Sequence, residues 1–226
     1  MRPANSTNHG KIQLRGIIFD YGNVLCCPQQ PADMEKMAAV CGIPAARVRE
    51  LYWKSRLTYD HGDMDGHSYW TSLGREAGVP ISPEQIARLC ELDAASWARE
   101  NVAVVRWVQQ LHEAGYRLAL LSNMPFELSR SLSAQGTWAK FFQHRVFSCD
   151  VRHNKPDPAI YKICLDALKL PANDVLFLDD ISANVESARR LGIHSLVFDT
   201  LEGTWARMSE QFDLPAPLDL AQAEPV

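Results

Sequence analysis

Four short runs of apolar residues punctuate the chain: Gly16-Ile17-Ile18-Phe19, Leu118-Ala119-Leu120-Leu121, Val175-Leu176-Phe177-Leu178 and Ser195-Leu196-Val197-Phe198. Polar residues, glycine or proline bound each one. Unbroken apolar runs of this length suit strands covered on both faces, as in a parallel sheet, although periodicity alone leaves buried helix segments open. Helical patterns lie between the later runs. Val104, Val108 and Leu111 fall at i, i+4 and i+7 before Gly115; Pro158 to Leu170 and Ser182 to Leu191 follow, the last stopping at Gly192. A glycine just past the last apolar position is a common helix stop. Strand, helix and strand in repetition predict an α/β fold with a doubly wound, Rossmann-like parallel sheet.

One interval breaks the alternation. From Pro28 to Glu100 there is no buried-strand pattern, only helical spacings such as Met34/Met37/Ala38/Cys41 and Val48/Leu51/Tyr52, with breaks at Gly42-Ile43-Pro44, His61-Gly62 and Val79-Pro80. This predicts a helical subdomain at 29–100, inserted into a core made of 13–28 and 101–215. Residues 1–12 and 216–226 carry few apolar side chains and are expected to be flexible tails.

Composition narrows the class. The 226 residues are 46% hydrophobic and 22% charged, values of a globular chain and not a disordered one. Lys and Arg number 23 against 27 Asp and Glu, a net charge of −4, so no basic surplus favours nucleic acid or an anionic membrane. No apolar run approaches the length of a membrane span. The N-terminal segment lacks the apolar stretch of a secretory signal, so a cytoplasmic location is expected and the Asn5-Ser6-Thr7 sequon should be idle. Cysteines at 26, 27, 41, 90, 149 and 164 form no C-x-x-C pair and no metal-ligand spacing, and are expected to be reduced thiols, mostly buried. Cys26 and Cys27 have no histidine or basic cluster beside them in sequence.

Three of the four apolar runs end in polar groups: Asp20, Ser122-Asn123 and Asp179-Asp180. One aspartate after a strand is an ordinary turn device. Ligands of open parallel sheets, however, bind outside the carboxyl ends of the strands, so these groups should converge in one crevice. Three carboxylates there would repel each other without a cation, and all-oxygen ligation suits Mg²⁺ with positions left for water and a phosphate. Lys155, within Asn154-Lys155-Pro156-Asp157-Pro158, offers a point charge for phosphate. Ser122 and Asn123 offer hydroxyl, amide and backbone N–H groups to phosphate oxygens. A carboxylate nucleophile beside a divalent cation and a phosphate cradle describes phosphoryl transfer through an aspartyl-phosphate, with a small phosphorylated metabolite as substrate.

The segments Phe19-Asp20-Tyr21-Gly22-Asn23-Val24-Leu25, Leu121-Ser122-Asn123, Lys155-Pro156-Asp157-Pro158-Ala159-Ile160-Tyr161 and Leu178-Asp179-Asp180-Ile181-Ser182-Ala183-Asn184-Val185-Glu186, in this order, resemble the haloacid dehalogenase (HAD) superfamily of hydrolases. The insertion is similar to that superfamily's helical cap. D-x-G-N-V with D-D-x-x-x-N-V-E looks most like the subgroup containing α-D-glucose-1-phosphate phosphatases. The resemblance implies that Asp20 is the nucleophile and that Asp20 and Asp180 are Mg²⁺ ligands. It implies further that Asp179 supports the metal or its water and that Gly22 lends a backbone carbonyl to the metal. Ser122 and Asn123 would bind the transferring group, Lys155 would neutralise charge between nucleophile and phosphate, and Asn184 would orient the acidic loop.

One position departs from that pattern. The usual phosphatase places a second aspartate two residues after the nucleophile, where it protonates the leaving group. Here Gly22 stands in its place, and a glycine can lend a carbonyl but not a proton. His61 and His67 in the insertion are candidate donors. The surrounding Asp60–His67 stretch otherwise reads as a solvated turn, because an EF-hand starting at His61 would need glutamate where Ser72 stands. Two alternatives remain: a 2-haloacid dehalogenase, disfavoured by the acidic pair and by Gly22 in place of tyrosine, and a catalytically weak metabolite-binding relic. The six tryptophans are scattered and expected to pack the core and cap.

Overall fold

The computed structural model describes residues 10–221. Strand β1 (Gly16–Phe19) runs into a tight turn at Tyr21–Leu25, and five helices follow: α1 (Pro31–Cys41), α2 (Ala45–Lys54), α3 (Arg56–Asp60), α4 (Gly66–Ala77) and α5 (Pro83–Ser96). Helix α6 (Val102–Glu113) then leads to β2 (Arg117–Ser122), α7 (Phe126–Gln135), β3 (His144–Phe147) and α8 (Ser148–Val151). The chain ends with α9 (Pro158–Leu168), β4 (Val175–Asp179), α10 (Ser182–Arg190), β5 (His194–Val197), α11 (Leu201–Gln211) and α12 (Leu218–Ala221).

The sheet is parallel throughout, in the order β3-β2-β1-β4-β5. From β1 the chain winds outward through β2 and β3, then returns to β1's other side with β4 and β5. The order therefore reverses between β1 and β4, where open sheets bind ligands. Ile18 sits between Ala119 and Phe177, so the residue following β1 emerges at the middle of the carboxyl edge.

Four strands coincide with the apolar runs; in β1, β2 and β4 alternate residues go to opposite faces and both faces are covered, whereas β5 is an edge strand in which only Ser195 is buried. Ile17, Phe19, Leu118, Leu120, Leu176 and Leu178 pack with Val104, Val108 and Leu111 of α6. Ile18, Ala119, Leu121 and Phe177 pack with Ile160, Tyr161 and Cys164 of α9. Strand β3 was not foreseen from the sequence. It is an edge strand in which only Val146 and Phe147 are buried, so His144-Arg145-Val146-Phe147 forms no apolar run.

The five helices between β1 and α6 enclose an apolar core of their own, with Met37, Val48, Tyr52, Trp70 and Leu89 fully buried. Local chemistry sets their ends. Asp65 accepts the Ser68 N–H at 2.8 Å to cap α4, Ser82 and Gln85 form a reciprocal capping box on α5, and Gly42 and Gly78 close α1 and α4 in the left-handed region. The chain enters and leaves this insertion side by side. Cys26 and Glu100 form an antiparallel bridge, flanked by Cys27 N–H to Arg99 O at 2.7 Å and Asn101 N–H to Leu25 O at 2.8 Å.

The described parts of the expected tails are tied down. Ile12 bridges Phe212, and α12 docks on α6 through an Arg106–Asp219 ion pair at 3.1 Å and a bond from Leu218 N–H to Gln110 at 3.0 Å. These are polar and backbone contacts, which an apolar count does not reveal. The remainder of both tails, with the Asn5 sequon, lies outside the described residues. All six cysteines are free thiols; Cys27 and Cys90 are half-buried and the others buried. Among the described residues no helix is long and apolar enough to cross a membrane.

Candidate active site

The sheet's carboxyl edge gathers the groups its strand ends predicted. Asp20 follows β1 and is 5% exposed; its Oδ1 accepts the Tyr21 N–H at 2.6 Å and Lys155 Nζ at 2.7 Å. Both bonds fall on Oδ1, leaving Oδ2 for chemistry. Asp179 ends β4 with no exposed surface. Its Oδ1 accepts the Ile181 N–H at 2.8 Å and Asn184 Nδ2 at 3.0 Å, and its Oδ2 accepts Lys155 Nζ at 2.6 Å. Lys155 Nζ donates its third bond to Leu121 O at 3.0 Å, which satisfies all three ammonium protons. Asn23, held at φ 55°, donates from Nδ2 to Asp180 Oδ2 at 2.8 Å and so ties the β1 turn to the acidic pair. Asn184, in the first turn of α10, thus holds Asp179, which in turn holds Lys155.

Ser122 and Asn123 line the same cavity. The Asn123 amide, however, is engaged at both ends with the Lys155 backbone, donating to its carbonyl at 2.9 Å and accepting its N–H at 2.8 Å. The side chain thereby fixes the lysine segment.

The donor set suits a hard divalent cation. One carboxylate oxygen from each of Asp20, Asp179 and Asp180 lies within 4.8 Å of the others. An octahedral Mg²⁺ with oxygens at about 2.1 Å spans about 4.2 Å between opposite ligands, so a small contraction would close the site. Three carboxylates and one ammonium carry a net charge of −2, which a divalent cation balances. Both Asp179 oxygens already accept bonds, so Asp20 and Asp180 are the better direct ligands. Electrostatics agree: burial pushes Asp20 up, with Asp179 and Asp180 adding to the effect and Lys155 opposing it. Burial also raises Asp180, against the Asn23 hydrogen bond. For Lys155, burial works against the charge, but Asp179 and Asp20 outweigh it and hold its pKa above the ordinary value.

A cavity of about 300 Å³ opens on these groups. Asp20, Lys155 and Asp180 line its core side; the insertion contributes Trp53, Arg56, Leu57, Asp60 and Trp97. A larger hollow of about 380 Å³, bordered by Gln13–Arg15 and Ala114–Arg117, lies at the amino ends of β1 and β2, away from the carboxylates.

Arg56 and Asp60 were not expected at the site. Arg56 Nε meets Asp60 Oδ1 at 2.8 Å, its Nη1 meets Asp93 Oδ2 at 3.1 Å, and it also bonds the Tyr52 hydroxyl. All three charged residues are buried. In sequence, R-x-x-x-D on one helical turn looks like a solvated face, and the second acid comes from a different helix. The solvated-turn expectation therefore fails for Asp60. His61 Nδ1 lies 2.9 Å from Asp63 Oδ2 and His67 is exposed, and neither histidine lines the cavity. A Cβ at position 22 would lie 3.7 Å from the Trp97 ring, an ordinary contact, so the fold leaves room there for a side chain that glycine does not supply. Three bonds tie the α3 segment to the core: Asn154 Nδ2 to Leu57 O at 2.8 Å, Ser148 Oγ to Asp60 O at 2.5 Å, and Arg152 Nη1 to Gly62 O at 2.5 Å.

Comparison with known proteins follows the same lines. A family model described as haloacid dehalogenase-like hydrolase matches residues 14–192. Acyl-CoA dehydrogenase family member 10 of Mus musculus is 25% identical over 231 residues, a match that takes in 97% of this chain but only 21% of that protein. Phosphatase MT3486 of Mycobacterium tuberculosis is 23% identical over 194 residues, covering 83% of this chain and 88% of its own length. A HAD family enzyme of Bacteroides thetaiotaomicron, solved with magnesium and inorganic phosphate, superposes with a TM-score of 0.70 at 17% identity, covering 82% of this chain and 94% of that one.

Proposed function

Because the chain belongs to the haloacid dehalogenase-like hydrolases, we propose that it is a Mg²⁺-dependent phosphatase of a small phosphorylated metabolite, acting through an aspartyl-phosphate on Asp20. The observation that carries this reading is the charge arrangement in the cavity: Asp20 and Asp180 beside a buried Lys155, with a net charge that calls for a divalent cation. The Mycobacterium tuberculosis phosphatase and the magnesium- and phosphate-bound Bacteroides enzyme support it.

Each residue then has a task. Lys155 holds Asp20 by Oδ1, presents Oδ2 to phosphorus, and offsets charge gathering on the transferring group. Asp179 and Asn184 keep Lys155 in place, and Ser122 and Asn123 border the phosphate. Asp180 and Asp20, with the Gly22 carbonyl, would hold Mg²⁺, which when bound screens phosphate charge and orients the group for in-line attack. We take 13–28 with 101–215 as the catalytic body and 29–100 as the cap that selects the substrate, in a cytoplasmic enzyme. Sugar 1-phosphates, which the subgroup resemblance suggests, belong among the first substrates to try, and the cavity volume accommodates a compact monoester.

The test is phosphate release from a panel of phosphorylated metabolites with Mg²⁺ and with EDTA. Metal-dependent turnover of at least one monoester is expected. Inertness toward the whole panel with Mg²⁺ present would overturn the reading.

A further inference from the structure

Position 22 cannot give a proton, and the Trp97 ring is its neighbour at ordinary contact distance. A phosphatase built on this cavity must find its acid elsewhere. Among the residues lining the cavity, the carboxyl groups are those of Asp20, Asp180 and Asp60. The first two have been assigned to the nucleophile and the metal. Asp60 has no such task.

Asp60 is also one acid more than its ion pair requires. Arg56 meets both Asp60 and Asp93, so the buried cluster holds two carboxyl groups on one guanidinium. Asp93 does not line the cavity and accepts the Tyr52 hydroxyl at 2.6 Å as well as Arg56. Asp93 thus has two side-chain donors, the Tyr52 hydroxyl and the Arg56 guanidinium, where Asp60 has Arg56. With fewer donors, Asp60 is the carboxyl of the cluster that faces the cavity with spare capacity for a proton, and a second buried carboxyl with no function would be costly to keep. The charged groups that act most on Asp60 are Arg56 of its own helix, Asp93 of α5 and Lys155 of the core, and Tyr69 of α4 is a further titratable neighbour. Burial, opposed by Arg56, brings the Asp60 carboxyl up to about 6. A group poised there can both give and take a proton near neutrality. The bonds from Asn154, Ser148 and Arg152 hold the Asp60 segment against the loops that carry Lys155, so the acid is fixed relative to Asp20.

We propose that Asp60 is the general acid and base of this enzyme, supplied by the insertion in place of the carboxyl absent at Gly22. The proposal rests on the phosphatase reading. In the first step Asp20 Oδ2 forms a bond to phosphorus, the bond from phosphorus to the leaving oxygen breaks, and the Asp60 proton passes to that oxygen, releasing the alcohol. In the second step the Asp60 carboxylate takes a proton from water, the resulting oxygen bonds to phosphorus, and the phosphorus–Asp20 bond breaks. Phosphate departs, Asp20 is again a carboxylate and Asp60 again an acid.

The experiment compares wild type with Asp60→Asn on an aryl ester that leaves easily, 4-nitrophenyl phosphate, and on primary alkyl phosphates, all with Mg²⁺. The amide keeps the shape and a neutral charge, and Arg56 retains Asp93. The expected result is a loss of about 10²–10⁴-fold in kcat/KM on alkyl phosphates and a loss of less than about tenfold on the aryl ester. With alkyl esters, wild-type kcat/KM should fall as pH rises past about 6, where Asp60 loses its proton, and the variant should lack that limb. In the Asp60→Asn background, Gly22→Asp should restore part of the alkyl activity. Equal losses on both ester classes would assign Asp60 a structural role and overturn the proposal, as would an unchanged variant. A wild type inert toward every ester would instead defeat the phosphatase reading itself. If Asp60→Asn does not fold, Asp60→Glu keeps an acid in place and must retain the falling limb; a flat profile there overturns the proposal.

Discussion

Replacing Lys155 with methionine removes the ammonium that lies 2.7 Å from Asp20 and 2.6 Å from Asp179 while keeping most of the side-chain volume. Asp179 has no exposed surface and Asp20 only 5%, so water can compensate little for the lost ammonium. Removing one partner of a buried ion pair costs about 3–5 kcal/mol, because the other charge stays buried and uncompensated. Asp179 keeps its bonds from Ile181 N–H and Asn184, so the lower half of that range is expected. For a chain of this size, about 3 kcal/mol corresponds to a fall in Tm of roughly 6–12 °C.

The deficit should depend on pH. Burial already raises Asp20 above its unfolded value, and losing Lys155 raises it further. A carboxyl whose folded pKa is raised favours the native state fully below the unfolded pKa, and that contribution is lost as pH rises through the folded value. The methionine variant should therefore be most compromised at about pH 8 and recover toward wild type at about pH 5. Thermal and urea unfolding in EDTA, followed by circular dichroism at both pH values, measures this. A deficit below about 1 kcal/mol, equal at the two pH values, would show that the lysine does not offset these charges.

Three further outcomes follow from the same geometry. Asp20→Asn should abolish turnover with Tm undiminished, since it removes the nucleophile and a buried charge together; retention of most of the activity would refute the aspartyl-phosphate. Asp180→Asn should weaken Mg²⁺ binding by more than about 100-fold in calorimetry, beyond what supporting residues usually cost, and wild-type affinity would show that Asp180 is not a ligand. Trp70→Ala, at the fully buried centre of the insertion, should cost about 3–5 kcal/mol, and a loss under about 1 kcal/mol in urea unfolding would contradict the packing described for it.

The central strands were legible because burial on both faces wrote apolar runs; of the two edge strands, β5 still carries Leu196-Val197-Phe198 at its end and was read, while β3 opens with His144-Arg145 and was not. The core side of the cavity was legible because β1, β2 and β4 each end at polar residues, so order along the chain became order along an edge. The half supplied by the insertion was not. Arg56 and Asp60 have the spacing of an exposed helical pair, and only the arrival of Asp93 from α5 and of the core loops buries them. Histidines attracted attention as proton donors by their ordinary pKa. In the folded chain it is an aspartate, displaced upward by burial, that reaches the range where histidine normally works.

The side-by-side entry and exit of the insertion bears on how the chain reaches this fold. Before β1 can pair with β2, the ends of the segment from Cys26 to Glu100 must meet, and closing a flexible loop of that length costs about 4 kcal/mol of chain entropy plus a constant. A helical insertion that collapses first around its own apolar core draws those ends together, because its helices make mostly local contacts and such contacts form early. The bridge between Cys26 and Glu100 then hands the sheet a short connection in place of a long one. Loosening the insertion should therefore slow formation of a sheet it barely touches, and the same seventy-odd residues that shape the cavity would set the pace at which the sheet's carboxyl edge is assembled.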